Sequence, residues 1–172
     1  DKVSMLHTPL YEAHVRARAR IVEFAGYAMP VQYPLGLAKE HLWTRQSAGL
    51  FDVSHMGQLW IHGPGAAAFL SWLTPSNIRL LKEGKSRYTV LTNEAGGIID
   101  DLIITFAGGD HYFVVVNASR KEADLAWMRK HCPKDVTISV WEDRALLALQ
   151  GPEAEAVLQP LVDVPLSTMP YM

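Results

Sequence analysis

A 172-residue chain that is 49% hydrophobic and carries a formal charge of −2 holds enough apolar material for one sizeable core or two small ones. That charge leaves no electrostatic footprint for nucleic acid or an anionic membrane, and no apolar run reaches bilayer-spanning length. The single Cys132 excludes an internal disulfide framework; with no signal-peptide pattern at Asp1, a reducing, cytoplasm-like compartment is expected.

Thr8-Pro9-Leu10-Tyr11 reads as a helix start, with Thr8 as N-cap and Pro9 at the first helical position. Ile21 to Phe24 reads as a strand ended by Gly26. Leu35, Ala38 and Leu42 have helical spacing, with Gly49 as the stop. Past Gly57, Leu59 and Ile61 alternate with Gln58, Trp60 and His62 as a strand. Gly63-Pro64 then opens an Ala-rich helix to about Leu73. Three strands follow, Tyr88 to Thr92, Ile98 to Phe106 and Tyr112 to Asn117, joined by hairpin loops. Ser119 and Glu122 form a capping-box pattern that opens a helix to about His131. Val136, Ile138 and Val140 alternate as a strand, Ala145 to Leu149 make another, and Gly151-Pro152 starts a last helix ending near Leu161.

These elements predict an α+β fold of antiparallel sheets flanked by helices. Residues 53–140 form a self-contained second domain. Residues 1–52 and 141–172 are parts of an interrupted first domain, with no repeats and no low-complexity segment.

The most telling stretch is Gly96-Gly97-Ile98-Ile99-Asp100-Asp101-Leu102. Successive strand residues point to opposite faces, so the two carboxylates cannot share an environment. One faces solvent or a loop. The other faces whatever the isoleucines face, where a charge is costly without a partner or ligand, which marks it as a functional candidate. The plain alternative is that both aspartates cap a hairpin mouth.

Other candidates are weaker. Seven histidines invite a metal, but His55 and His62 are oddly spaced and no zinc-type spacing occurs, so no metal site is expected. His14, Arg16, Arg18 and Arg20 make a basic stripe if extended, read as a solvated, charge-protected strand edge. Ser54, His55 and Asp52 could formally supply a triad, but adjacency aims them apart. The glycines form no dinucleotide or phosphate loop. Cys132, followed by Pro133, reads as structural; Met56 and Tyr88 read as ordinary core residues, and Asn117 is ambiguous.

Taken together, seven ordered blocks resemble the aminomethyltransferase family of the glycine cleavage system, the T-proteins. They are Thr8-Pro9-Leu10-Tyr11-Glu12, Phe24-Ala25-Gly26-Tyr27, Met29-Pro30, Gly49 to Gly57, Gly96 to Leu102, Val115-Val116-Asn117-Ala118 and Leu149-Gln150-Gly151-Pro152. The resemblance implies the N-terminal half of a larger folate-binding fold whose first domain is incomplete here. It implies tetrahydrofolate as co-substrate, no metal, and a lipoyl carrier protein as partner. The aminomethyl group on the lipoyl arm would pass to tetrahydrofolate, giving methylenetetrahydrofolate and ammonia.

By the same resemblance Asp101 is the catalytic carboxylate, directed inward, and Met56, Tyr88, Val115 and Asn117 line the folate pocket. The implied location is the bacterial cytoplasm, or the mitochondrial matrix in a eukaryote. Thr105 stands where many relatives have tyrosine, and Arg18 where the family often has glycine. Alternative readings are a folate-dependent demethylase, the folate domain of a methylamine oxidase, or a non-catalytic folate-binding module. The Lys-Gly-Cys-Tyr motif of the last is absent.

Overall fold

Every named strand in the structure, a computed structural model that describes residues 4–172, pairs antiparallel. In chain order the elements begin with α1 (Tyr11–Arg16), β1 (Arg20–Phe24), β2 (Tyr27–Gln32), α2 (Leu37–Gln46) and β3 (Gly49–Asp52). Next come β4 (Gly57–His62), α3 (Ala66–Leu73), β5 (Ser86–Thr92), β6 (Ile98–Gly108) and β7 (His111–Val116). The chain continues with α4 (Lys121–His131), β8 (Thr137–Val140), β9 (Leu147–Gln150) and α5 (Ala154–Leu158). The class is α+β, antiparallel sheets with helices. Two compact units divide the chain. One runs to His55 and resumes over Asp143–Tyr171; the other is Met56–Glu142 with Met172.

The first unit holds two small sheets, β1–β2 and β3–β9. Its hairpin turn places Ala25 at φ 51° and Gly26 at φ 82°. Positive φ at both central residues is the turn whose twist matches a two-residue hairpin, and glycine supplies half of it without strain. β2 and β3 escape the alternation pattern because both are short and mixed in polarity. Gly49 does not stop α2; that helix ends at Gln46, and Gly49 opens β3 opposite Gln150.

The second unit is a five-stranded sheet in the order β5-β6-β7-β4-β8, with α3 and α4 on one face. Leu59, Ile61, Leu91, Ile104, Val114 and Val116 point into that layer and meet Phe69, Leu70, Leu73 and Met128. Each such side chain stabilises the unit by about 1.5–3 kcal/mol when fully withdrawn from water. The opposite face carries Tyr88, Asp101, Ile103 and Val115, which alternate with those core residues along the same strands.

Both predicted N-terminal caps are corrected. α1 starts at Tyr11 with no side-chain cap, because the Thr8 hydroxyl is taken by Asp52 at 2.6 Å. α4 begins after Arg120, again without a capping side chain, so Ser119 and Glu122 do not form their box. The basic stripe is also overturned. His14 and Arg16 belong to α1, Arg18 sits at φ 57°, and only Arg20 is in a strand. The positive φ at Arg18 explains why glycine suits that position.

Candidate functional site

Strand β6 carries the two aspartates on opposite faces. Asp100 pairs with Leu91 and shares its side of the strand with Leu102 and Ile104, all three apolar neighbours buried. It therefore points toward the helical layer. Asp101 pairs with Val90 and shares the other face with Ile103, which is 38% exposed. The inward direction expected for Asp101 is thus corrected: alternation gives the core side to Asp100 and the open side to Asp101.

Two protein donors hold the Asp101 carboxylate. The Tyr88 hydroxyl donates to Oδ2 at 2.8 Å, and the Asn117 side-chain nitrogen donates to Oδ1 at 2.8 Å. The Tyr88 bond is the largest influence and, helped by Asn117 against a smaller burial effect, holds the carboxyl below its ordinary range. Asp101 in turn pushes the Tyr88 phenol up by accepting its hydrogen bond and by its charge. Tyr88 is 60% exposed, which overturns its reading as a core side chain. The carboxylate stays ionised at neutral pH, and each oxygen has lone-pair capacity for a further donor.

Asn117, just past the end of β7, links the two aspartates. Its Nδ2 lies 3.2 Å from each Asp100 oxygen while bonding Asp101. Val115 lies on the same open face as Asp101, opposite Ile103 in the sheet. Met56, half-buried, lies just before β4 in the same unit. Thr105 Oγ1 bonds Ser86 Oγ at 2.7 Å, so its hydroxyl is committed within the sheet.

Sequence reasoning missed Asp124 on α4. Its side chain has no exposed surface, and no N–H or O–H donor among the described residues reaches either oxygen. Burial, then the adjacent Asp100 carboxyl, pushes its pKa up to about 7. The signal available was a four-residue spacing to the buried Met128.

The first unit has its own buried carboxylate. Asp52, with a side chain 1% exposed, accepts from Thr8 Oγ1 at 2.6 Å, His14 Nε2 at 2.8 Å and the Ser54 amide at 3.0 Å. His14 Nδ1 lies 2.8 Å from the Tyr33 hydroxyl. Burial raises Asp52, but these hydrogen bonds outweigh it and leave the carboxyl below its usual range. Burial, then the charge of Asp52, pushes the Tyr33 phenol up. Asp52 and Tyr33 line a pocket of about 390 Å³ together with Trp43, Leu50 and Phe51.

No Ser54–His55–Asp52 triad forms: Ser54 Oγ bonds the backbone of Leu146 instead. Burial pushes the Cys132 thiol up, away from nucleophilic use. Among the described residues, no group of three His, Cys, Asp or Glu side chains could hold a metal ion. No described helix is long and apolar enough to cross a membrane.

The class defined here is an α+β protein whose second unit presents one donor-held carboxylate on the open face of an antiparallel sheet. Residues 10–172 match the family described as GCVT N-terminal domain. An aminomethyltransferase of Chloroherpeton thalassium is 44% identical over 169 residues, 97% of this chain and 46% of that protein. One from Thermus thermophilus is 47% identical over 167 residues, 95% of this chain and 47% of its own length. The crystal structure of glycine cleavage system aminomethyltransferase T from Bartonella henselae superposes with a TM-score of 0.88 at 47% identity, covering 91% of this chain and 44% of that one. The chain belongs to the glycine-cleavage aminomethyltransferase family and corresponds to its N-terminal part. It spans about half the length of the curated relatives it matches.

Proposed function

We propose that the protein of which this chain is a part moves an aminomethyl group from a lipoyl carrier protein to tetrahydrofolate, giving methylenetetrahydrofolate and ammonia. Asp101 is the acting carboxylate in this reading. The observation that carries it is a carboxylate kept ionised by Tyr88 and Asn117 on an open sheet face, with acceptor capacity left over. That carboxylate, held as an acceptor, fits a reduced pterin, whose N–H groups are donors.

Asp101 would accept hydrogen bonds from the folate amines and stabilise the positive charge that develops as the carbon unit leaves sulfur. Its effect grows when the bound folate excludes water. Tyr88, Val115 and Met56 would offer aromatic and apolar surface to the folate, and Asn117 its amide, the usual mixture for a small-molecule site. Nothing in these roles requires a metal.

The test is Asp101→Asn in the full-length protein. It should lower turnover by about 10²–10⁴-fold, the range for a positioned acid or base, while the protein stays folded. Turnover near that of the parent would remove Asp101 from the role. Asp100→Asn, on the other face, should cost less. Offering aminomethylated lipoyl carrier and, separately, sarcosine-type amines distinguishes this reading from a folate-dependent demethylase or methylamine oxidase.

A further inference from the structure

Asp124 is a fully buried acid that the proposed reaction leaves unused and, unlike Asp52, it has no donor. An ionised carboxylate with no donor and no water-exposed surface is far costlier than one that takes up a proton. The side chain that meets it is Asp100, on the core side of β6. Two ionised carboxyls cannot hydrogen-bond each other, since each can only accept; one proton between them turns a repulsion into a bond. Asp100 already accepts from Asn117 Nδ2 at 3.2 Å on both oxygens, whereas no donor reaches Asp124. The proton therefore belongs on Asp124.

We propose that Asp124 is a positioning residue for Asp101: its carboxylic O–H donates to the Asp100 carboxylate, which anchors the Asn117 amide so that it also donates to Asp101. The groups run from α4 through β6 to the residue after β7: Asn117 donates to both aspartates of β6, and Asp100, on the core side of that strand, is the carboxyl that acts on the donorless Asp124. The positioning role rests on the reading of Asp101 above; the shared proton does not.

The groups acting on Asp124 set the pH at which the device fails. Burial and the charges of Asp100 and Asp101 favour the protonated form, and Arg120, four residues earlier on the same turn, opposes them. The balance lies at about 7. Above it two like charges face each other in the core. Asp100 is then repelled, Asn117 loses its anchor, and Asp101 loses one of its two donors.

In the full-length protein, infrared spectroscopy at pH 6 should show a protonated carboxylic acid band that shifts in D2O. It should disappear as the pH passes about 7, and be absent from Asp124→Asn and Asp124→Ala. Turnover of the parent should fall over the same pH range. Asp124→Ala should lower kcat by about 10–10²-fold, the scale of an ångström-level misplacement, with KM for tetrahydrofolate changing less than kcat. Asp124→Asn keeps an N–H donor to Asp100 and cannot titrate, so it should recover most of the alanine loss and show no fall near neutral pH.

A missing band in the parent, or a band that survives in Asp124→Asn, overturns the proposal. So do equal losses in the Asn and Ala variants with the parental pH profile. If the band is missing while Asp101→Asn still abolishes transfer, only the positioning proposal has failed. If Asp101→Asn leaves transfer intact, the reading of Asp101 fails and takes the positioning role with it, whatever the band shows.

Discussion

Asp52 and Asp124 are equally withdrawn from water yet have shifted in opposite directions. Asp52 has three donors, a threonine hydroxyl, a histidine nitrogen and a backbone amide, and remains a carboxylate. Asp124 has none, only a second carboxyl, and is driven toward its neutral acid. Burial raises both. What differs is whether the surrounding groups stabilise the charge or add to it. Depth alone therefore says nothing about which aspartate is structural and which can act as a switch.

The sharpest way to break this contrast is Asp52→Ala. It leaves His14, Thr8 and the Ser54 amide without their acceptor, and should cost about 4 kcal/mol in urea denaturation at pH 7. A loss below 1 kcal/mol, on the same scale, would mean that the network contributes little net stability.

The two sites should also respond oppositely to pH. The folded pKa of Asp52 lies below its ordinary value, so its contribution is present above about pH 4 and is lost as the pH falls through the folded value. That of Asp124 is raised, so its contribution is fully present below about pH 4 and is lost as the pH rises through about 7. Asp124→Asn should consequently gain on the parent between pH 4 and pH 8, by on the order of 3 kcal/mol. Denaturation curves at the two pH values check this, and a pH-independent difference would contradict the protonated state assigned to Asp124. Smallest is Thr8→Val, which removes one donor to a charged acceptor and should cost about 1.5 kcal/mol by the same measurement.

Local pattern carried much of the fold. The alternation of Leu59 and Ile61, the three strands between Tyr88 and Asn117, and the helix up to His131 appear where the spacing put them, because a period of 2 or 3.6 is imposed by the core each segment faces. The caps failed for a reason of the same kind seen from outside the segment. Thr8 has the chemistry of an N-cap, but a buried carboxylate 44 residues away competes for its hydroxyl and wins. Short strands such as β3 exist only because β9 pairs with them.

The sequence by itself settled the family, through seven ordered blocks, and settled that Asp100 and Asp101 must face opposite ways, since strand geometry allows nothing else. Which of the two faces the core was decided only by tertiary structure, because that depends on the side where α3 and α4 pack. The same holds for Asp124 and for His14. A side chain's protonation and partners depend on groups brought together from distant parts of the chain, and no local spacing encodes who those neighbours are.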